Sequence, residues 1–280
     1  MKISVVIPSF NRAHSIEQAI DSVLQQSTPP HEIIVVDDHS TDATRRALIK
    51  FKKQIKVIRN EANEGVSISR NKGIEASSGD WIAFLDSDDC WDSKKLELQT
   101  RFHAADPNLR ISQCDEIWIR NGNRVNPMTK HAKKGGWIFQ ECIPRCVVSP
   151  SAVIIHRDIF AEIGVFDPHL PACEDYDLWL RIAPYYEIGY LDQKLVTRYG
   201  GHEDQLSRKY WGMDRFRITA MEKHLDLELR PEWKTTLLEE LIFKCGIVAT
   251  GAKKRENEET AVSYLKKQEL YQDMLLSQIN

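Results

Sequence analysis

The chain has 280 residues, a mass of 32.3 kDa and a formal net charge of −3 at pH 7. That length supports a substantial core, and the mildly acidic balance leaves no basic footprint for a nucleic-acid partner. Cys90, Cys114, Cys142, Cys146, Cys173 and Cys245 form no CxxC pair and find no completing histidine pair, so a zinc framework is excluded and reduced, mostly buried thiols in a cytosolic chain are expected.

The stretch from Met1 to Phe10 is broken too soon by Pro8 to act as a signal peptide. No apolar run reaches the ~18 residues that a membrane span needs. A cytoplasmic protein is expected, able to visit the inner face of a membrane to meet a lipid-linked acceptor. Continuous apolar runs at Ile3–Ile7, Ile33–Val36, the weaker Ile55–Ile58 and Trp81–Leu85 predict strands buried on both faces. Between them, Ser15–Gln26 places Ile16, Ala19, Ile20, Val23 and Leu24 on one helical stripe, with further helices predicted at Thr41–Lys53 and Val66–Ala76. Such alternation predicts a parallel, doubly wound sheet, which binds ligands beyond the carboxyl ends of its strands.

Past Asp89 the pattern changes. A helix is predicted over Lys94–Ala105, strands over Ile111–Arg120 and Ala152–His156, and helices over Arg157–Ile163 and Glu174–Ile182. The polar stretch Asn121–Gly136, with Lys130, Lys133 and Lys134, reads as a loop that either edges a site or is plain linker. Short strands follow at Ile188–Leu191 and Leu195–Tyr199, then only helix beyond Ser207, punctuated by Pro231, Gly251 and a polar turn at Lys253–Glu259. The last helix carries Val262, Leu265, Tyr271, Met274 and Leu275, which need a surface to cover. That surface is either the rest of the chain or a second copy, giving a homodimer.

The strongest chemical signal is Asp86-Ser87-Asp88-Asp89, just past the fourth strand. Clustered carboxylates repel one another unless a cation joins them, and hard Mg²⁺ or Mn²⁺ suits a site of few protein oxygens completed by phosphate and water. The plainer reading, caps for the helix starting near Ser93, suits one aspartate better than three. In Asp37-Asp38-His39-Ser40-Thr41-Asp42, Ser40 or Thr41 is expected to cap the second helix with Asp42 in its first turn. Asp38, at the sheet edge, has the chemistry to accept the imide N–H of uracil or thymine. Pro8, Phe10 and Arg12 offer an aromatic face and a cation. Arg70 reaches toward phosphate oxygens, while Lys72 faces solvent. Glu174, Asp175 and Asp177 open a helix, where the dipole favours one acid more readily than three.

Together IPSFNR, VVDDHSTD, NEGVSISRNKGI, GDWIAFLDSDD and EDYDLWLR closely resemble the family 2 glycosyltransferases, in that family's order and spacing, over about Met1 to Gly200. The resemblance implies an α/β GT-A fold, a Rossmann-like mixed and mainly parallel sheet flanked by helices, with a C-terminal helical extension. It divides the chain into a GT-A domain over 1–205 (1–92 for the nucleotide-sugar, 93–205 for the acceptor) and helices over 206–280. By the same resemblance Pro8 and Phe10 border the nucleobase, Asp38 binds its imide, and Arg70 contacts base or diphosphate. Asp88 faces ribose and metal, Asp89 and His202 join the metal set, Glu174 helps to bind substrate, and Asp175 is the catalytic base. The implied reaction is inverting transfer of a sugar from a UDP- or dTDP-type donor to a glycan or lipid-linked hydroxyl, with Mn²⁺ or Mg²⁺, in envelope polysaccharide synthesis. Two rivals stand beside it. One is a catalytically silent nucleotide-binding module of the same fold. The other is a haloacid-dehalogenase-like phosphatase with Asp86 as nucleophile, although that motif belongs on a first strand and is followed by Thr or Val.

Overall fold

The computed structural model describes residues 1–126, 128, 131–201 and 209–279. The β-branched runs form β1 (Ile3–Ser9), β2 (Glu32–Asp37), β3 (Lys56–Arg59) and β4 (Trp81–Phe84), all parallel, in the order β3-β2-β1-β4. Every residue of β1 is buried, as expected of a central strand covered on both faces, whereas Val57 on the edge strand β3 is exposed. Between these strands lie α1 (Ile16–Leu24), α2 (Thr44–Ile49) and α3 (Val66–Glu75). A Cβ built on Gly73 of α3 would lie 2.2 Å from Val6 Cγ1, so the absent side chain is what lets α3 rest directly on β1.

Beyond β4 the sheet becomes mixed. It adds β5 (Cys90–Trp91), α4 (Lys95–Ala105), β6 (Ile111–Arg120), β7 (Asn123–Val125), α5 (Phe139–Cys142), β8 (Val153–His156), α6 (Arg157–Ile163), α7 (Glu174–Ile182) and β9 (Gly189–Gly200). The order continues β4-β8-β6-β9-β5, with β7 on β6; β8 runs antiparallel to β4 and β6, and β9 runs parallel to β6. The two short strands predicted over Ile188–Tyr199 are therefore one, whose register against β6 shifts on either side of Asp115. The α/β architecture with a mixed sheet is as expected. The small elements β5, β7 and α5 lack a periodic pattern and were not anticipated.

After β9 come α8 (Asp214–Glu222), α9 (Pro231–Lys253) and α10 (Glu258–Ile279). Pro231 opens α9 as its fixed φ favours, but Gly251 lies within that helix and does not punctuate it. Trp233, Leu237 and Leu241 of α9 and Tyr271 of α10 join Phe139, Tyr176, Trp179 and Phe84 in one buried cluster. The apolar stripe of the last helix is thus covered in part by the chain itself, with Met274 and Leu275 packed on that cluster and Val262 left exposed. Among the described residues no helix is long and apolar enough to cross a membrane, and all six cysteines are unpaired thiols.

A second cluster on the opposite face of the sheet contains Ile7, Ile20, Val35, Leu85, Trp91 and Leu96. Beside it Lys95 is 0% exposed, its Nζ lacks a hydrogen-bond partner, and it lies 4.0 Å from the centroid of Trp91. Burial lowers its amine from 10.5 to about 8. Below that pH the folded state carries a buried charge that the unfolded chain solvates, and the penalty fades as pH rises from 8 to 10.5. Lys95→Met is expected to raise stability at pH 7 by on the order of 3 kcal/mol, the gain vanishing above the ordinary lysine range. Urea titrations across that pH window measure it.

Candidate active site

Because β2, β1 and β4 are neighbours, the loops at their carboxyl ends lie side by side, and the start of α7 and the end of β9 approach from the other half of the sheet. Two of these loops are tied together by Asn11, whose φ is 51°. Its N–H donates to Ser40 Oγ at 2.9 Å, and its Oδ1 accepts the N–H groups of Thr41 at 2.8 Å and Asp42 at 3.3 Å. Ser40 and Thr41 are therefore not the caps expected of the second helix. That helix begins later, at Thr44, whose N–H is accepted by Asp42 Oδ1 at 2.9 Å. Pro8 lies buried beneath this lip and Phe10 stands 41% exposed upon it.

The acids of the loops divide into those bound to their own chain and those facing the cleft. Asp37 pairs with Arg59. Asp38 is buried; its Oδ1 accepts from Asn60 Nδ2 and the Glu64 N–H, and its Oδ2 from the Gly65 N–H, each at 2.8 Å. A carboxylate has about four acceptor positions, so one remains on Oδ2. Arg70 and Glu174, both read as ligand contacts, instead face each other. Arg70 Nη1 donates to Glu174 Oε1 at 2.6 Å, Nη2 to Asp86 Oδ1 at 2.7 Å, and the guanidinium lies 5.1 Å from the Phe166 centroid. Arg70 is so deeply buried that carboxylates are needed to offset its desolvation. Burial likewise raises the carboxyl of Glu174 above its ordinary range, with Arg70 opposing.

The capping reading of the acid cluster fails. The turn into α4 is supplied by Asp92, whose Oδ1 accepts the Lys94 N–H at 2.9 Å. Asp88 is 20% exposed, with Arg12 Nε 3.8 Å from its Oδ2. Burial raises its carboxyl, and the like charge of Asp86 raises it further. Asp89 is 3% exposed. Its Oδ2 accepts from Ser151 Oγ at 2.7 Å, and its Oδ1 from the Tyr199 N–H at 3.2 Å. Its carboxyl is pushed well up, chiefly by burial. A cleft with surplus negative charge suits a divalent cation that takes few protein ligands; Asp88 and Asp89 are the residues of the cluster that could hold one. Among the described residues no three His, Cys, Asp or Glu side chains converge as a closed metal cage. His202 lies outside the described residues.

The three acids of α7 separate by helical face. Glu174 turns to Arg70, and Asp177 is buried between Arg181 at 2.9 Å and Lys223 at 2.5 Å. Asp175 is half-buried, with its charge near Arg70 and Arg198: its Oδ1 accepts the Tyr176 N–H at 2.7 Å, and Cys146 Sγ lies 3.4 Å from its Oδ2. Sequence reasoning missed Ser151, before β8, and Arg198, on β9, which meet Asp89, and Glu116, on β6, which pairs with Arg198. No local motif marks them, and β6 and β9 carry several other polar residues, so Glu116 and Arg198 do not stand out in the sequence. Lys133, read as part of a basic loop, is buried against Glu116 at 3.0 Å. Arg70→Ala strips two carboxylates of their counter-ion and is expected to cost about 3–5 kcal/mol at neutral pH. The folded pKa of Glu174, already raised by burial, then loses the opposition of Arg70 and rises further, so this part of the loss shrinks as pH falls toward 4.5. Chemical denaturation at neutral and mildly acidic pH checks both size and sign.

Residues 4–164 match the family model described as Glycosyl transferase family 2. TuaG of Bacillus subtilis (strain 168), named for teichuronic acid biosynthesis, is 30% identical over 212 residues, covering 75% of this chain and 82% of TuaG. WfgD of Escherichia coli, a UDP-Glc:alpha-D-GlcNAc-diphosphoundecaprenol beta-1,3-glucosyltransferase, is 32% identical over 181 residues, covering 64% of this chain and 69% of WfgD. The uncharacterized glycosyltransferase RC0461 of Rickettsia conorii is 34% identical over 223 residues, 78% of this chain but 36% of that protein, so the chain spans about a third of such longer relatives. Among solved structures, S. aureus TarS 1-349 in complex with UDP-GlcNAc superposes with a TM-score of 0.72 at 17% identity, over 98% of this chain and 92% of TarS. Mannosyltransferase PcManGT from Pyrobaculum calidifontis, in complex with GDP-Man and Mn2+, gives 0.63 at 15% identity, over 95% and 86%. These likenesses bear out the GT-A architecture and remove the phosphatase reading. The chain belongs to glycosyl transferase family 2.

Proposed function

We propose that the chain transfers a sugar, with inversion, from a UDP- or dTDP-type nucleoside diphosphate to a hydroxyl of a glycan or lipid-linked acceptor in cell-envelope polysaccharide synthesis. One observation carries this reading. Of the acids just after β4 and at the start of α7, Asp88 and Asp175 are the two that are partly exposed and have no hydrogen-bonded cation. The others are bound into the chain. One acid is thereby presented to a donor and one to an acceptor. WfgD's name supplies the relevant chemistry, a UDP-sugar and a diphospholipid acceptor, and TuaG's name supplies the envelope glycan.

In this reading Pro8 and Phe10 border the base, and the remaining acceptor position of Asp38 takes its imide N–H. Arg70 and Glu174 act on substrate indirectly, by fixing Asp86 and the start of α7. Asp88, with Asp89 behind it, would hold Mn²⁺ or Mg²⁺ against the diphosphate; such a cation, when bound, neutralises charge gathering on the leaving group. Asp175 takes the acceptor hydroxyl's proton as its oxygen bonds to the anomeric carbon. The bond from that carbon to the phosphate oxygen breaks, and its electron pair leaves with the nucleoside diphosphate.

Asp175→Asn is expected to lower transfer by about 10²–10⁴-fold while leaving affinity for nucleoside diphosphate and Mn²⁺ near that of the parent. A large loss of that affinity would move Asp175 into the binding site. Asp88→Asn is expected to weaken Mn²⁺-dependent binding of UDP or dTDP by at least about ten-fold, roughly 1.4 kcal/mol, read by calorimetric titration. A parent chain that binds donor and metal yet transfers to no acceptor and hydrolyses no donor would be the silent module instead.

A further inference from the structure

Arg198 stands apart from the other arginines of the core. Arg157 donates to the carbonyls of Gly79, Ile74 and Ser77 and to Ser77 Oγ, and Arg181 donates to Asp177 and two carbonyls. Arg70 donates to two carboxylates. Arg198, on β9, has its Nε 3.7 Å from Asp89 Oδ2 and its Nη1 3.7 Å from Glu116 Oε2. Both separations are ion-pair distances beyond hydrogen-bond reach. Among the described residues its guanidinium makes no hydrogen bond, although it carries five N–H donors, and its side chain is 40% exposed.

Neither carboxylate needs those donors. Asp89 already accepts from Ser151 and the Tyr199 N–H. Glu116 accepts from Trp118 Nε1 at 3.0 Å and from Ser149 Oγ, and it pairs with Lys133 Nζ at 3.0 Å. Lys133 is fixed in turn on Ser149 Oγ at 2.7 Å and Gln113 Oε1 at 3.2 Å. Glu116 is thus a buried, neutralised anchor, and the fork beside it is held in place by charge but left partly exposed with its donors unfilled. Burial works to lower the guanidinium's pKa, and Glu116, Asp89, Asp86 and Asp175 outweigh it, keeping the charge in place. A fixed planar cation with unfilled donors, set among the acids of a donor cleft, is the arrangement that binds phosphate oxygens in pairs.

We propose that Arg198 binds the diphosphate of the donor through its guanidinium, with Glu116 as the positioning residue that aims it. This rests on the donor reading given above and adds a binding residue to it. The full chain would be titrated calorimetrically with UDP, dTDP, GDP and ADP, and with uridine and UMP, in Mn²⁺ and in its absence. Arg198→Lys and Arg198→Ala are expected to weaken the nucleoside diphosphate that binds best by about ten- to a hundred-fold, as loss of charge-assisted hydrogen bonds implies. Both should leave uridine binding unchanged. Glu116→Gln is expected to give a smaller loss of the same kind, and Arg198→Lys should melt close to the parent. Equal losses for uridine and UDP would reduce Arg198 to a structural brace and overturn the proposal. So would unchanged diphosphate affinity in both Arg198 variants. If the parent binds none of the four nucleoside diphosphates, the donor reading itself falls; if it binds one and the variants do too, only the role of Arg198 falls.

Discussion

The site depends on one buried cation. Arg70 lies on α3, yet it holds Glu174, 104 residues away at the start of α7, and Asp86, 16 residues away at the end of β4. Helix α7 therefore presents Asp175 at a height set by Arg70, and the acid loop after β4 is drawn to the same point. Taking a guanidinium and two carboxylates from water is expensive, and short hydrogen bonds offset that expense where the geometry is good. The stacking of Phe166 under the guanidinium closes the remaining side. Specific placement of two loops, rather than stability as such, is what this arrangement supplies.

From that point the sheet topology does the rest. Placing β1 between β2 and β4 brings three loops to one edge, and the clasp of Asn11 on Ser40, Thr41 and Asp42 makes two of them one wall. The mixed half of the sheet then brings β9 beside β6, which puts Arg198 between Glu116 and Asp89. Positive charge enters the acid cleft from one half of the chain at Arg12 and from the other at Arg198. Just after β4 and at the start of α7, the partly exposed negative charge left without a hydrogen-bonded cation is that of Asp88 and Asp175.

Much of this was legible before the fold was known. The strands β1, β2 and β4, the helices α1, α3, α4, α6 and α7, and the acids after each strand follow from hydrophobic runs and their breaks. The sequence could not tell which acid faces which way. Glu174, Asp175 and Asp177 are near neighbours on one helix, and their partners Arg70, Cys146 and Lys223 come from three distant segments. Asp38 was legible as a ligand contact from its place at the sheet edge, but the Glu64 and Gly65 N–H groups that also bind its carboxylate lie one strand and one loop further on and were not. Ser40 and Thr41 obeyed the preferences of helix caps, but Asn11 competed for them and moved the helix start. Arg198 carried no signal at all, because its meaning lies in two carboxylates that the sheet alone brings together.

The helices after β9 bear on the chemistry through the back of α7. Lys223, just past α8, pairs with Asp177 at 2.5 Å, and His224 Nε2 lies 3.0 Å from the Leu180 carbonyl. Trp233 of α9 meets Phe139 at 5.1 Å between ring centroids, in the cluster that also buries Tyr176 and Trp179. Arg70 thus holds α7 at its tip, and the tail buttresses it from behind. A chain cut short before Trp233 would keep each acid of the cleft and lose the wall against which Asp175 is braced. Exchanging tails between relatives would then shift where α7 carries Asp175, with no change in any residue of the acid cluster.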